Sequence, residues 1–263
     1  MAIKPRVFVT VRDTKRPQRA KSPYIGGCFE AMNVMGSVYI NSQIPSSSGL
    51  GSSAAVTVAT LSAINDEFNL NKTREDIANM AFEIEKKVQK GRASPTDTTV
   101  STYGGIVLIS GGSRRRLPPQ NMHLVVGDSL VSHSTSRMVE QVAELKKTNP
   151  AIVDPVLDAI EGVSMSAIHH LSNPRELGRY MNMNHHLLEV LGVGHPQLAK
   201  MVLAARTAGA FGAKITGAGG GGSMVALCPK QLKHRVAGAC EACEARAIVT
   251  GIDTEGVRRE KNV

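Results

Sequence analysis

The chain has 263 residues, enough for one large domain or two lobes, and 42% of them are apolar, so it can bury a sizeable core. Aromatic residues make up only 3%, with no Trp, which leaves almost no base-stacking surface and argues against nucleic acid as a ligand; the core must be aliphatic. The balance of 31 basic against 22 acidic residues gives a formal charge of +9, which suits anionic ligands such as nucleotides and equally a solvated basic surface.

In chain order, RVFVTVRD (Arg6 to Asp13) reads as a strand, and so does GSVYINSQI (Gly36 to Ile44), with its alternating side chains. Ala54, Ala55, Val58, Leu61 and Ile64 then recur at helical spacing. A second helix follows in KTREDIANMAFEIEKKVQKG, with Thr73 as N-cap, acidic residues in its first turn, an apolar face of Ile77, Met80, Ala81, Ile84 and Val88, and Gly91 as its stop. RASPTDTTVSTYGG is expected to be a polar loop, followed by a strand over Ile106 to Ser110. SRRRLPPQ, Ser113 to Gln120, combines a charge run with two prolines. It is the best boundary, dividing residues 1–118 from 119–263, and its arginines read as a solvated loop. Beyond it come a strand at HLVVGD, helical patterns over 137–147, 155–171, 175–191 and 196–208, strands at AKIT and SMVAL, a helix over 233–245 and a strand through AIVTG. Two α+β lobes are the natural reading.

Three places carry chemistry. PSSSGLGSSAA, Pro45 to Ala55, is a strand-to-helix turn in which Gly49 and Gly51 permit positive φ, and Ser52 and Ser53 set hydroxyls beside the unpaired amides of a new helix. Those amides and the helix dipole favour an anion. It is not a Walker A loop, because no lysine precedes the hydroxyl. The second place is the acidic helix end at Glu85 with Asp97 after it. The third is the run TGAGGGG, too dense in glycine for an ordinary turn. Four cysteines, Cys28, Cys228, Cys240 and Cys243, lack the spacing of a disulfide framework. There is neither a signal-peptide pattern nor an apolar span of about 18 residues, so a cytoplasmic location is expected. The CxxC of Cys240 and Cys243 lies in a helical stretch without a second pair to complete a zinc site. His185 and His186 are adjacent on one helix and point about 100° apart, which suits core or surface roles better than chelation.

Together these stretches resemble the GHMP kinase superfamily, whose phosphate loop has the form PxxxGLGSSAA and whose C-terminal motif is a glycine cluster. EKKVQKGRASPTDTTVSTYGG, YMNMNHHLLEVLGVGHPQL and AKITGAGGGG narrow the resemblance to its mevalonate kinases. The resemblance implies an α+β, two-lobed GHMP kinase fold, with a ribosomal protein S5 domain 2-like N-terminal lobe and a ferredoxin-like C-terminal lobe. It also implies ATP-dependent phosphorylation of mevalonate in isoprenoid biosynthesis, by a cytoplasmic homodimer without nucleic-acid or membrane partners. By the same resemblance, Pro45, Gly49, Leu50, Gly51, Ser52, Ser53, Ala54 and Ala55 bind ATP, and Ser53 and Glu85 reach Mg²⁺, with Glu83 as the alternative because VQKG runs one residue longer than the family's V-Q-G. Asp97 is the catalytic base, with a capping Asp as the competing reading. Thr135, Gly217, Gly219 and Gly220 line the substrate side of the cleft. Another small alcohol (homoserine, phosphomevalonate or a sugar) or a non-catalytic nucleotide binder would fit the same motifs. The family's opening PGK…GEHxxVxxG segment, whose lysine lies against the catalytic aspartate, has no counterpart before Ser22. Roughly 30 family residues are therefore expected to be missing ahead of Met1, with two readings open: a start placed too late, or a chain that is truly short.

Overall fold

The chain folds as two compact units, one of Met1–Ser46, Gly51–Pro119 and Ile252–Val263, the other of Ser47–Leu50 and Gln120–Gly251. The computed structural model describes residues 1–14, 22–45, 48–132 and 134–260; Ser46 and Ser47 of the PSSSGLGSSAA stretch lie outside the described residues.

In the first unit, β1 (Val7–Asp13) pairs antiparallel with β2 (Gly36–Ser42), in a register running from Val7 opposite Ser42 to Asp13 opposite Gly36. Between them runs α1 (Pro23–Met32), in PYIGGCFEAM, where the sequence reading placed no element. Two glycines weaken its helical signal, but its buried Cys28 and Met32 join a core with Val11, Val58, Leu61, Ile64, Ile77, Ala81 and Ile84. The centre of that core is α2 (Ser52–Glu67), which lies on β1 and packs against α1 and α3 (Arg74–Val88). Burying Leu61 and Ile64 fully contributes about 1.5 to 3 kcal/mol each. A complete capping box opens α3: Thr73 accepts from the Asp76 amide and Asp76 accepts from the Thr73 amide. Lys90 and Gly91 close the helix in left-handed conformations, and the Gly91 amide reaches back to the Lys86 carbonyl at 2.8 Å.

RASPTDTTVSTYGG is not a loop. Pro95–Tyr103 forms helix α4, because Ser94 caps it at the Thr96 amide and Pro95 supplies a helical φ at the first position. The arginine run is likewise structured: β3 (Val107–Ser110) and β4 (Ser113–Arg116) make an exposed hairpin, with Arg114 held by Asn79 and Arg116 by the Thr254 carbonyl. Residues after 251 return to this unit, where Ile252 bridges Ile3 and Asp253 pairs with Arg6.

The second unit is built on a four-stranded antiparallel sheet in the order β6-β7-β5-β8, formed by β5 (His123–Asp128), β6 (Gly212–Ile215), β7 (Ser223–Leu227) and β8 (Arg246–Gly251). Helices α5 (Thr135–Thr148), α6 (Pro150–Ile168), α7 (Pro174–Val190), α8 (Pro196–Thr207) and α9 (Lys233–Glu241) complete it. Its aliphatic core joins Val125, Ala213, Ile215 and Met224 of the sheet to Leu198, Met201 and Val202 of α8 and Val236 and Cys240 of α9. α7 runs along β6. All four cysteines are buried and free, Cys28 in the first core, and Cys228, Cys240 and Cys243 in the second. Burial pushes the Cys28 thiol up to about 12 and that of Cys240 to about 11. No described helix is long and apolar enough to cross a membrane.

Candidate active site

In the first unit, α2 begins behind Gly51, which adopts φ 68° and ψ 30° and has no side chain to spend on the helix's first amides. Those donors point outward with the positive end of the helix dipole, the arrangement that binds an anion. One residue into the helix, the Ser53 hydroxyl donates to Glu85 Oε1 at 2.7 Å. Glu85 comes from the last turn and a half of α3 and is only 3% exposed. Glu83 is exposed, since two residues turn a helix by about 200°. In the longer VQKG, α3 ends at Val88 and Lys90 is absorbed in the left-handed turn beyond it.

Asp97 stands in the first turn of α4. The helix cap is taken by Ser94, so the capping role that competed for Asp97 is already filled. Its carboxylate lies against the main chain of Gly51: a Cβ there would sit 3.2 Å from Asp97 Cγ and 3.4 Å from Oδ2. Asp97 keeps solvent access, yet desolvation by the protein around it raises its carboxyl above the ordinary 3.8. Glu85 is also raised, above 4.5, first by desolvation and in smaller part by the charge of Asp97, while the Ser53 hydroxyl works the other way. Ser53, Glu85, Asp97 and Gly51 are thus one constellation of oxygen atoms and amides. Among the described residues, no cluster of three or more His, Cys, Asp or Glu could enclose a metal by itself. The Glu85 carboxylate and the Ser53 hydroxyl beside it do fit Mg²⁺, a hard cation that completes its octahedron with phosphate oxygens and water.

In the second unit, Ser48 and Gly49 of the loop are tied to the ends of the glycine run. The buried Ser223 hydroxyl donates to the Ser48 carbonyl at 2.7 Å, and Thr216 Oγ1 approaches the Gly49 carbonyl at 3.4 Å. The run itself is seated on the LGVGH stretch. Gly220 donates its amide to the Val193 carbonyl at 2.9 Å, and a Cβ on Gly219, at φ 76°, would stand 2.0 Å from that same oxygen. Gly217 approaches the Gly49 carbonyl, and Gly220 rests on Met138 of α5. Thr135 is the exposed first residue of α5. Leu50 lies with Ser48 and Gly49 in this unit, whereas Pro45, Ser52, Ala54 and Ala55 lie in the first. Sequence reasoning did not name Thr216, Ser223 or Val193. The two hydroxyls flank the TGAGGGGS run, which was a visible hint, but nothing local connects Ser223 to a carbonyl 175 residues away.

Residues 23–105 match the GHMP kinases N terminal domain and residues 164–245 match GHMP kinases C terminal. The mevalonate kinase of Pyrococcus abyssi is 40% identical over 232 residues, covering 86% of this chain and 69% of that protein. The chain belongs to the GHMP kinase family. This GHMP kinase is also 40% identical over 225 residues to the mevalonate kinase of Methanothermobacter thermautotrophicus, covering 82% of the chain and 73% of the relative. Among solved structures, L. major mevalonate kinase in complex with R-mevalonate superposes with a TM-score of 0.83 at 25% identity, over 96% of this chain and 87% of the other. The Methanococcus jannaschii mevalonate kinase gives 0.77 at 28%, over 88% and 74%. The family resemblance carried by the three motifs, and the α+β fold it implied, are borne out.

Proposed function

We propose that this GHMP kinase transfers the terminal phosphoryl group of ATP to the primary hydroxyl of mevalonate. The observation that carries the reading is about 40% identity to mevalonate kinases over most of the chain, a span that includes the LGVGH stretch seating the glycine run.

Phosphoryl transfer asks a protein chiefly to place its reactants and to neutralise charge. The first amides of α2, with Gly49, Leu50 and Gly51, hold the nucleotide phosphates. Asp97 accepts the hydroxyl proton as the oxygen attacks the γ-phosphorus. The new P–O bond forms while the bond to the β-phosphate oxygen breaks, and ADP leaves. General-base assistance of this kind is worth typically about 10² to 10⁴-fold. A carboxyl held above the ordinary range makes Asp97 a better proton acceptor, provided the pH keeps it ionised. Ser53 and Glu85 would hold Mg²⁺, which when bound with ATP offsets charge on the phosphate oxygens. Four buried, unpaired thiols accord with a reducing cytoplasm, and the enzyme acts there as a homodimer, which sedimentation equilibrium would check.

A coupled assay of ADP release tests the assignment over mevalonate, homoserine, galactose and phosphomevalonate. Mevalonate is expected to give the highest kcat/KM. Equal or faster turnover of any rival would overturn the substrate assignment.

A further inference from the structure

We propose that Asn182, Arg206 and Lys214 are positioning residues for phosphoryl transfer, occupying the outer edge of β6 in place of a fifth strand and thereby fixing the register from which the glycine run departs. The inference rests on the kinase reading above.

β6 is an edge strand, paired only with β7. Thr216 donates its amide to Ser223, so in the alternating antiparallel pattern residues 214 and 216 face β7 while the backbone groups of Ala213 and Ile215 face outward. Left bare, such an edge is free to slip or to recruit another strand. Here side chains fill it. Asn182 Oδ1 accepts the Ala213 amide at 3.0 Å, Arg206 Nη2 donates to the Ala213 carbonyl at 2.8 Å, and Lys214 Nζ donates to the Ile215 carbonyl at 2.7 Å. α7 can deliver Asn182 because its backbone almost touches the strand: a Cβ on Gly212 would lie 2.1 Å from the Gly178 carbonyl oxygen.

The clamp is itself braced. Arg206 Nη1 lies 3.3 Å from His186 Nε2, and since a guanidinium only donates, that nitrogen must accept. The His186 proton is then on Nδ1, 3.0 Å from Glu189 Oε2. The other Glu189 oxygen lies 3.5 Å from His185 Nε2, and burial pushes that imidazole down to about 4, so it adds no charge beside Arg206 at neutral pH. None of these groups belongs to the constellation around Asp97. One residue past the clamped strand, Thr216 approaches the Gly49 carbonyl and the glycine run begins. A slip of β6 would therefore move the wall that holds Ser48 and Gly49.

The test uses Asn182→Ala, Arg206→Ala and the conservative Asn182→Asp, which keeps an acceptor oxygen. Each is measured for binding of a non-hydrolysable ATP analogue with Mg²⁺ by calorimetry, for KM(ATP) and kcat with mevalonate, and for Tm. Both alanine variants should raise the analogue Kd and KM(ATP) about 5- to 20-fold with a smaller fall in kcat, a coupling of ordinary size between linked sites. Asn182→Asp should return both to within about threefold of wild type. Alanine variants that lose thermal stability but bind the analogue and ATP like the wild type would reduce the network to a structural brace and overturn the proposal. If Arg206→Ala does not fold, Asn182→Ala, which gives up a single acceptor, decides alone. A wild type that binds the analogue but phosphorylates no mevalonate would sink the substrate reading, while analogue binding would still decide the clamp.

Discussion

Replacing Gly51 with alanine separates two costs that this residue avoids. The first is conformational: at φ 68° a side chain pays the left-handed penalty of roughly 1 to 2 kcal/mol, or about 2 to 8 °C in Tm for a protein of this size. The second is contact. The new methyl would meet Asp97 at 3.2 Å from Cγ and 3.4 Å from both Cβ and Oδ2, so the carboxylate must yield by a few tenths of an ångström. Since a misplacement of about 1 Å can cost roughly 10²-fold in rate, turnover should fall about 10-fold or more. Gly91 supplies the control. It has φ 85° and nothing within 4 Å of an added Cβ, so Gly91→Ala pays the first cost without the second. Measuring Tm and kcat for both variants should show similar thermal losses and a turnover defect in Gly51→Ala alone. Equal turnover in the two variants would refute the argument that Gly51 makes room for Asp97.

Asp97→Asn should lower kcat by at least about 10²-fold and leave the affinity for a non-hydrolysable ATP analogue nearly unchanged, because it removes the base and not the phosphate cradle. Glu85→Gln should raise the Mg²⁺ concentration for half-maximal rate several-fold while Glu83→Gln does not, a contrast read directly from metal titrations. Glu85 also sets a sign for stability against pH. Its native value lies above 4.5, so its contribution is fully present below 4.5 and is lost as pH rises through the native value. Tm profiles of wild type and Glu85→Gln should diverge upward through that window, with the variant gaining relative stability; parallel profiles would contradict the desolvation argument. Ser223→Ala removes the donor to the Ser48 carbonyl, and should cost about 1 to 2 kcal/mol in denaturant unfolding and weaken nucleotide binding in calorimetry.

What could be read in advance depended on whether the signal was local. The N-cap at Thr73, the stripe from Ile77 to Ile84 and the apolar run of HLVVGD each dictate their element from a few neighbouring residues, and each formed. Where local signals conflict, reading fell short. α1 carries two glycines inside one helix and is held by the burial of Cys28 and Met32, while α4 is rich in threonine and serine yet is fixed by a Ser-Pro start. The arginines of β4 looked like a solvated loop, and their strand depends on pairing with β3. In the site, the glycines and the Ser53, Glu85 and Asp97 set were visible because each belongs to a quotable motif. The Ser223 hydroxyl's bond to the Ser48 carbonyl and the seating of Gly220 on the Val193 carbonyl are contacts between distant stretches, which no stretch of sequence announces.

The distribution of buried thiols turns the protein into its own unfolding recorder. Cys28 is the first unit's one cysteine, and the second unit holds three, all shielded from solvent, with Cys28 and Cys240 raised to about 12 and 11. A thiolate is the reactive form, so alkylation of Cys28 and Cys240 at neutral pH must wait for an opening that both exposes the sulfur and restores its ordinary acidity, and the buried Cys228 and Cys243 must at least become exposed. Intact-mass spectra taken during slow labelling would accordingly show steps of one adduct when the first unit opens and of three when the second does. Adding nucleotide during such labelling would show, unit by unit, which core a bound ligand slows from opening.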